Sequence, residues 1–371
     1  MRKTLIDRRQ FVKIASMVSA FGLAGFGVAP SAFAQEVRMD SGLHSKAKRA
    51  TDEGLRFIRS QQEDNGSWMG SVGVTALALR AFLTSHRGYD ESDGAFITKP
   101  VKFLLSHVNE DGSISESIQN RNYNTATAIT AIKQLNNPEY DEIIRNAQVF
   151  IGELQLDESQ EYSADHKFYG GIGYGGDERP DLSNMYYAME ALHETGMDKN
   201  DPIFARALSF ISRSQNSSET NDQAWAANDG GFTYMPGYSP HGGTDSYGGM
   251  THAGLISLIY AGVDRSDPRI QAAYNWIREN YTLETNPGAK DQQGLFYYYT
   301  AFAKSMYAFG EPIITDAAGV DHNWRDELAT KLVAIQGEDG SWVNTTPRWW
   351  EGLKPLVTAR AVIALNLAVM K

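Results

Sequence analysis

Acidic residues that could do chemistry lie beside glycine-rich segments of the chain. Asp181 and Asp245 each stand shortly before a helix-like stretch, and Glu351 ends the segment RWWE at 348–351. Side-chain carboxyls in such places can serve as general acids or bases. We therefore assign Asp181, Asp245 and Glu351 as candidate catalytic residues, with helix capping as the alternative role of Asp181.

Aromatic residues in the same segments could line a cavity. Their faces suit an isoprenoid chain, a carbocation or a sugar ring, and plain packing between helices is the alternative role. The candidate ligand-binding residues are Tyr174, His252, Tyr298, Trp349 and Trp350.

A possible metal site is formed by His241, Asp245 and His252, which lie within twelve residues and are of ligand types that zinc accepts. Short spacing across a glycine-rich loop is weak evidence, so the binding of a metal ion by these three residues stays open. We assign no metal ligand and expect no cofactor.

Six copies of one helical hairpin position these residues, from about residue 46 to the C-terminus. Each copy has a first helical stretch, a glycine-marked turn and a second stretch rich in Ala. Two turns are nearly identical, QEDNGSW at 62–68 and QGEDGSW at 336–342. Small side chains let the second helices approach one another, and charged first helices suit a solvated outer ring. The pattern predicts an all-α fold, an (α/α)6 toroid with inner and outer helix rings; an open solenoid is the alternative.

Any site is expected at the rim that holds the turns between first and second helices. The inner helices point their N-termini, and so their partial positive charge, at this rim. Two long insertions rich in glycine and aromatic residues, 156–182 and 215–249, belong to the same rim. Long loops on a rigid scaffold commonly carry function. We predict a site between the third, fourth and sixth hairpins.

The first 34 residues are predicted to be an export signal rather than part of the fold. They contain the twin-arginine signature RRQFVK at 8–13, a short apolar run at 14–28 and an A-x-A cleavage pattern at 32–34. We assign 1–34 to a twin-arginine signal peptide, 35–45 to a linker and 46–371 to the toroid. We expect a periplasmic or secreted protein with no transmembrane helix after signal removal.

Composition excludes several partners and chemistries. The formal net charge is −11, and the predicted signal carries five basic residues and one acidic residue, so the remaining chain has a charge of −15. Such a surface disfavours nucleic acid and anionic membranes as partners. The chain has no Cys, which excludes disulfides, thiolate metal ligands and a Cys nucleophile. Nothing in the sequence identifies a protein partner.

Both near-identical turns fit the pattern Q-x-x-x-G-x-W, which resembles the repeat of terpenoid cyclases of the squalene–hopene type, whose toroid is shared with protein prenyltransferase β subunits. The resemblance covers almost the whole chain after the signal and suggests the exported bacterial branch of squalene cyclase repeat proteins. It implies an acidic D-x-D-D motif, whose counterpart here is DLSN at 181–184. It also implies a zinc site of Asp, Cys and His, but Met250 stands in the place of that His. Neither chemistry is supported by the residues present.

Three functions remain open. The first is an exported toroid protein that binds or modifies an isoprenoid or other apolar lipid in a central cavity, squalene cyclase-like if it is an enzyme. The second is a non-catalytic interaction scaffold. The third is a periplasmic carbohydrate-active enzyme that would use two acids about 5 to 9 Å apart, chosen from Asp177, Asp181, Asp229, Asp245 and Glu351. A fold alone does not transfer a reaction.

Overall fold

The computed structural model describes residues 39–175 and 179–370. Twelve α-helices and one antiparallel pair of short strands form within this part of the chain. In chain order these are α1 (Ser41–Ser60), α2 (Val72–Leu83), α3 (Ala95–Leu105), α4 (Arg121–Lys133), α5 (Asp141–Glu153), α6 (Leu182–Glu194), α7 (Pro202–Arg213), α8 (Gly248–Tyr260), α9 (Pro268–Glu279), α10 (Leu295–Phe309), β1 (Ile313–Thr315), β2 (Asp321–Asn323), α11 (Trp324–Ala334) and α12 (Lys354–Val369).

The even-numbered helices form a closed inner ring. Each packs against the next, from α2 to α4 and onward to α12, and α12 packs in turn against α2. The odd-numbered helices lie outside and contact the inner helices beside them. The predicted (α/α)6 toroid, with second helices inside, is confirmed.

Side-chain size decides which helix lies inside. In α2 all residues from 72 to 82 are buried, and four of its twelve positions hold Ala or Gly, so two neighbouring helices can approach it closely. In the outer helix α9 only Ile270, Ala273, Trp276 and Ile277 are buried. That spacing is one face of a helix, and the remaining charged and polar positions face water.

The glutamine of the repeated turn joins one hairpin to the next. Gln62 Nε2 donates to the carbonyl of the turn residue Gly66 at 3.1 Å and to Phe96 O in α3 at 3.2 Å. Gln336 Nε2 donates at 2.9 Å to its own turn glycine and at 2.9 Å to Ala50 O in α1. The second contact links the last hairpin to the first, so the turn helps to close the ring.

The tryptophan of the same turn is a core residue. Trp68 and Trp342 are 0% and 1% exposed. Their Nε1 atoms donate to Ile58 O at 2.7 Å and to Leu332 O at 2.9 Å, each at the end of the preceding outer helix. The Trp342 ring also lies so close to Gly54 of α1 that an added Cβ would stand 2.8 Å from it. These contacts give both tryptophans a structural role.

Helix α1 begins earlier than the sequence suggested. The Asp40 side chain accepts hydrogen bonds from Gly42 N and Leu43 N, which caps the helix at this point. Residues 41–45, which we predicted to be linker, are therefore helical. The predicted signal peptide lies outside the described residues. Among the described helices, none has the length and apolar character needed to span a membrane.

Candidate functional site

A cavity of about 430 Å³ lies where the six inner helices begin. Every inner helix contributes to its wall from its N-cap or its first two turns, so the cavity lies on the axis at the predicted rim. Its volume is within the range of small-molecule sites. Six tyrosines and two tryptophans supply most of the ring surface: Tyr123, Tyr174, Tyr187, Tyr234, Tyr247, Tyr297, Trp349 and Trp350.

The tyrosines pack on one another as well as facing the cavity. The Tyr123 and Tyr187 rings meet edge to face with centroids 4.8 Å apart, and Tyr297 lies 6.4 Å from Tyr187. Tyr297 OH donates to Ser183 Oγ at 3.1 Å. Burial raises the pKa of Tyr123, Tyr187 and Tyr297. Their hydroxyls are therefore neutral at pH 7, and the wall presents mainly ring faces.

Asp181 caps helix α6 beneath the cavity wall. Its Oδ1 accepts from Asn184 N at 2.9 Å and its Oδ2 from Asn184 Nδ2 at 2.7 Å. Burial raises the pKa of Asp181 to about 6, although the hydrogen bonds from Asn184 oppose this shift. Ser183 and Asn184 face the cavity, whereas Asp181 does not line it. Of the DLSN segment, the two neutral polar residues are thus the ones placed toward a ligand.

Glu351 caps the N-terminus of α10 from the neighbouring hairpin. Its Oε1 accepts from Tyr297 N at 2.7 Å, and its Oε2 accepts from Asn344 Nδ2 at 2.6 Å. The side chain is fully buried and is absent from the cavity wall. Burial raises the pKa of Glu351, and Arg360 opposes that rise. Oε1 thus joins the fifth and sixth hairpins, and Oε2 holds the loop before α12 through Asn344.

Three other candidates lie away from the cavity. Asp245 is exposed in the loop before α8. His252 Nδ1 is hydrogen-bonded to Ser305 Oγ at 2.7 Å, and burial lowers the pKa of His252 to about 3. Tyr298 OH donates to Thr282 O at 2.7 Å. None of the three lines the cavity, because helix rotation turns His252 and Tyr298 from the axis into the packing between hairpins.

No metal centre is formed by the candidate triplet. In the described part of the chain, no group of three or more His, Asp or Glu side chains could hold a metal ion. The His241 ring packs against Tyr247 at 4.6 Å and Trp349 at 5.7 Å between centroids. His252 is buried, and its ring packs against Tyr298 and Phe302 of α10.

The mouth of the cavity carries exposed apolar side chains on a left-handed backbone. Met69, Trp349 and Trp350 are 47%, 39% and 70% exposed and have φ values of 61°, 56° and 67°. Residues other than glycine rarely adopt this backbone conformation, and those that do are often found at ligand clamps. Trp349 lies over Gly294, where an added Cβ would stand 3.1 Å from the ring. Together with Tyr174, the two tryptophans are the predicted ligand-binding residues that meet at this cavity.

A buried ion cluster fills the axis beyond the cavity. Arg80 on α2 contacts Glu190 at 3.0 Å and Glu194 at 2.7 Å, both on α6, and Lys304 on α10 contacts Glu190 at 2.6 Å. Burial lowers the pKa of Lys304 to about 8. Burial would raise the pKa of Glu190, but Arg80 and Lys304 outweigh it and lower the pKa. Since alternate inner helices supply these groups, the cluster closes the floor of the cavity.

Several cavity residues were not identified from the sequence. They are Tyr123, Tyr187, Tyr234, Tyr247, Tyr297 and one cation, Arg360. A usable signal was present for some of them, since Tyr123, Tyr187 and Tyr297 stand in the first two turns of inner helices. Arg360 also stands in the second turn of its helix, but an arginine in an Ala-rich helix is equally compatible with an exposed position.

Comparison with known proteins identifies the fold. No family model matches the chain. The type II terpene cyclase MstE from Scytonema, in complex with geranylgeranyl dihydroxybenzoate, superposes with a TM-score of 0.55 at 12% identity, over 88% of this chain and 99% of that one. A protein from Actinoplanes gives 0.53 at 16% identity, over 87% and 100%. A glycosidase gives 0.50 at 11% identity, over 90% and 100%. The chain thus has the α/α toroid fold found in type II terpene cyclases.

Proposed function

We propose that this protein binds an isoprenoid or another apolar small molecule in the tyrosine-lined cavity. The observation that carries the proposal is the axial cavity of about 430 Å³, which has eight aromatic residues in the described part of its wall. Ring faces offer an apolar chain large contact areas. Burying as much apolar surface as one aliphatic or aromatic side chain carries contributes roughly 1.5 to 3 kcal/mol of free energy. The exposed tryptophans at the mouth would give such a ligand its first contact.

The ligand of one structural neighbour supports the chemical class. MstE is named as a terpene cyclase in complex with a geranylgeranyl-substituted benzoate. That molecule joins an isoprenoid chain to an aromatic acid, and the toroid that holds it has the same fold as this chain. At 12% identity the likeness suggests an apolar ligand on the axis without specifying a reaction.

The positions of the carboxylates favour binding of a ligand without acid-initiated cyclisation. Among the described residues, no Asp or Glu lines the cavity. Asp181 and Glu351 each use one oxygen to cap a helix N–H and the other to accept from an asparagine side chain. Protonating an alkene requires an acid in contact with it, so we propose that these two residues hold the wall and do not react.

The proposed site of action lies outside the cytoplasm. We propose that residues 1–34 direct the folded protein through the twin-arginine pathway to the periplasm or beyond, which the RRQFVK signature and the A-x-A pattern support. Fusing residues 1–45 to a reporter and following its export would test this step.

Calorimetric titration of the mature chain with farnesol tests the proposed ligand class. We expect saturable binding at one site, weakened about tenfold or more by Tyr187→Ala, because that ring lies in the cavity wall. Tyr307→Ala is the matched control, since Tyr307 is an exposed ring at the far end of α10 and is absent from the wall. Organic extraction of the purified protein, followed by mass spectrometry, should recover an apolar molecule.

Absence of farnesol binding together with an empty extract would contradict the proposal. The carbohydrate-active alternative has less support, because Asp181, Asp229, Asp245 and Glu351 do not line the cavity. Asp177, the fifth acid it could use, lies outside the described residues. Release of reducing sugar from an oligosaccharide panel would favour that alternative.

A further inference from the structure

Among the described residues, the cavity wall contains one permanent charge, the guanidinium of Arg360 on helix α12. The side chain is 7% exposed, so it is withdrawn from bulk water while lining the cavity. Its charged carbon lies 5.4 Å from the centroid of the Tyr297 ring. The positive charge of Arg360 opposes the burial-driven rise in the pKa of Tyr123 and Tyr187, so both hydroxyls lie near the guanidinium. Three wall tyrosines are thus arranged around a single cation.

The negative partner of Arg360 neutralises it only in part. Glu351 Oε1 lies 3.5 Å from Arg360 Nη1, a long contact for a charge-assisted hydrogen bond. The same oxygen accepts the much shorter bond from Tyr297 N at 2.7 Å. Glu351 is also fully buried and lies outside the cavity wall. A ligand in the cavity therefore meets the cation without meeting the carboxylate.

The helix ends at the cavity are also positively charged. Helix N-termini carry partial positive charge, and all six inner helices begin at this cavity. Among the described residues, no acidic side chain lines the wall to oppose them. A guanidinium at low exposure repels a cationic intermediate and attracts an anion, since charges interact more strongly away from water. The wall is suited to rings and chains, with one position for a negative head group.

We propose that the cavity takes an apolar ligand that carries a carboxylate, with Arg360 as the residue that binds the carboxylate and sets this specificity. The planar fork of a guanidinium matches a carboxylate in geometry and can bind it through two parallel hydrogen bonds. The apolar body then lies along the faces of the tyrosines. This inference rests on the proposed function, because it names the class of ligand for the same cavity.

Three ligands that differ only at the head group test the proposal: farnesoic acid, its methyl ester and farnesol. Calorimetry on the mature wild-type chain should show the acid binding about tenfold or more tightly than either neutral compound, the advantage of a hydrogen-bonded ion pair over a neutral contact. Arg360→Gln should remove that preference and leave farnesol affinity little changed. Arg56→Gln is the matched control, since Arg56 is exposed on the outer helix α1, and it should keep the preference.

The outcomes separate this inference from the function it rests on. Equal binding of acid, ester and alcohol by the wild type would overturn the role of Arg360 while leaving an apolar-ligand site in place. Failure of all three to bind would overturn both. Retained preference in a folded Arg360→Gln variant would assign the carboxylate to another group. Should that variant fail to fold, as judged by circular dichroism, the three-ligand comparison on the wild type still decides whether the cavity prefers a carboxylate, and Arg360→Lys, which keeps the charge and loses the planar fork, should then reduce that preference.

Discussion

Replacing Trp342 by Ala should destabilise the fold without removing ligand binding. The indole is 1% exposed, donates to Leu332 O at 2.9 Å and packs on Gly54 of the neighbouring hairpin. Truncating such a ring costs about 3 to 5 kcal/mol. At about 2.1 cal/mol/K per residue, the unfolding entropy of the roughly 330 described residues is about 0.7 kcal/mol/K. The melting temperature should therefore fall by about 4 to 7 °C.

The same substitution at Trp350 is the matched control, because that ring is 70% exposed at the cavity mouth. Its removal should change the free energy of unfolding by no more than about 0.5 kcal/mol and should weaken farnesol binding instead. Thermal unfolding followed by circular dichroism, with calorimetric titration of both variants at 25 °C, gives the comparison. An unchanged melting temperature for Trp342→Ala, or loss of farnesol binding by that variant while it is still folded, would refute the reasoning.

Three further substitutions test other parts of the structure. Gly54→Ala puts a methyl group 2.8 Å from two buried side chains and should lower the free energy of unfolding in urea by about 1 to 3 kcal/mol. In Gly152→Ala the added methyl group is 3.7 Å from its neighbour, so this control should be neutral or stabilise by up to about 1 kcal/mol. Glu190→Gln leaves two buried cations short of a partner and should cost about 3 to 5 kcal/mol. Glu53→Gln, at a half-exposed side chain, should cost no more than about 0.5 kcal/mol. The pKa of Asp181 is raised to about 6 from 3.8, which adds stability below about pH 4 that is lost as the pH rises through 6. Between pH 4 and pH 7 the free energy of unfolding of Asp181→Asn should therefore fall by about 2 to 3 kcal/mol less than that of the wild type. Identical pH profiles of the two proteins in urea unfolding would contradict this.

The fold was predictable because it repeats. The register of six hairpins and the small residues of every second helix determine a closed ring, and the turns then gather at one rim. The position of the cavity at that rim followed from the same geometry. The capping role of Asp181 was one of two readings of a carboxylate before a helix, and only its two hydrogen bonds to Asn184 distinguish between them.

The identity of the wall residues depends on a rotation that the sequence does not give. Successive residues on a helix point about 100° apart, so in the run 297–299 one tyrosine faces the cavity and its two neighbours are buried between hairpins. We chose Tyr298 from the sequence, whereas Tyr297 lines the wall. The floor was equally hidden, because Arg80 and Glu190 are more than a hundred residues apart and meet only through ring closure.

Photoaffinity labelling tests most directly whether an apolar ligand occupies the axial cavity. A farnesyl probe bearing a diazirine would be bound to the mature protein, irradiated and mapped by peptide mass spectrometry, with and without excess farnesol. We predict labels on wall residues of α4, α6 and α12, such as Tyr123, Tyr187 and Leu356, which farnesol suppresses. Labels confined to outer helices, or labels that excess farnesol leaves unchanged, would contradict the account.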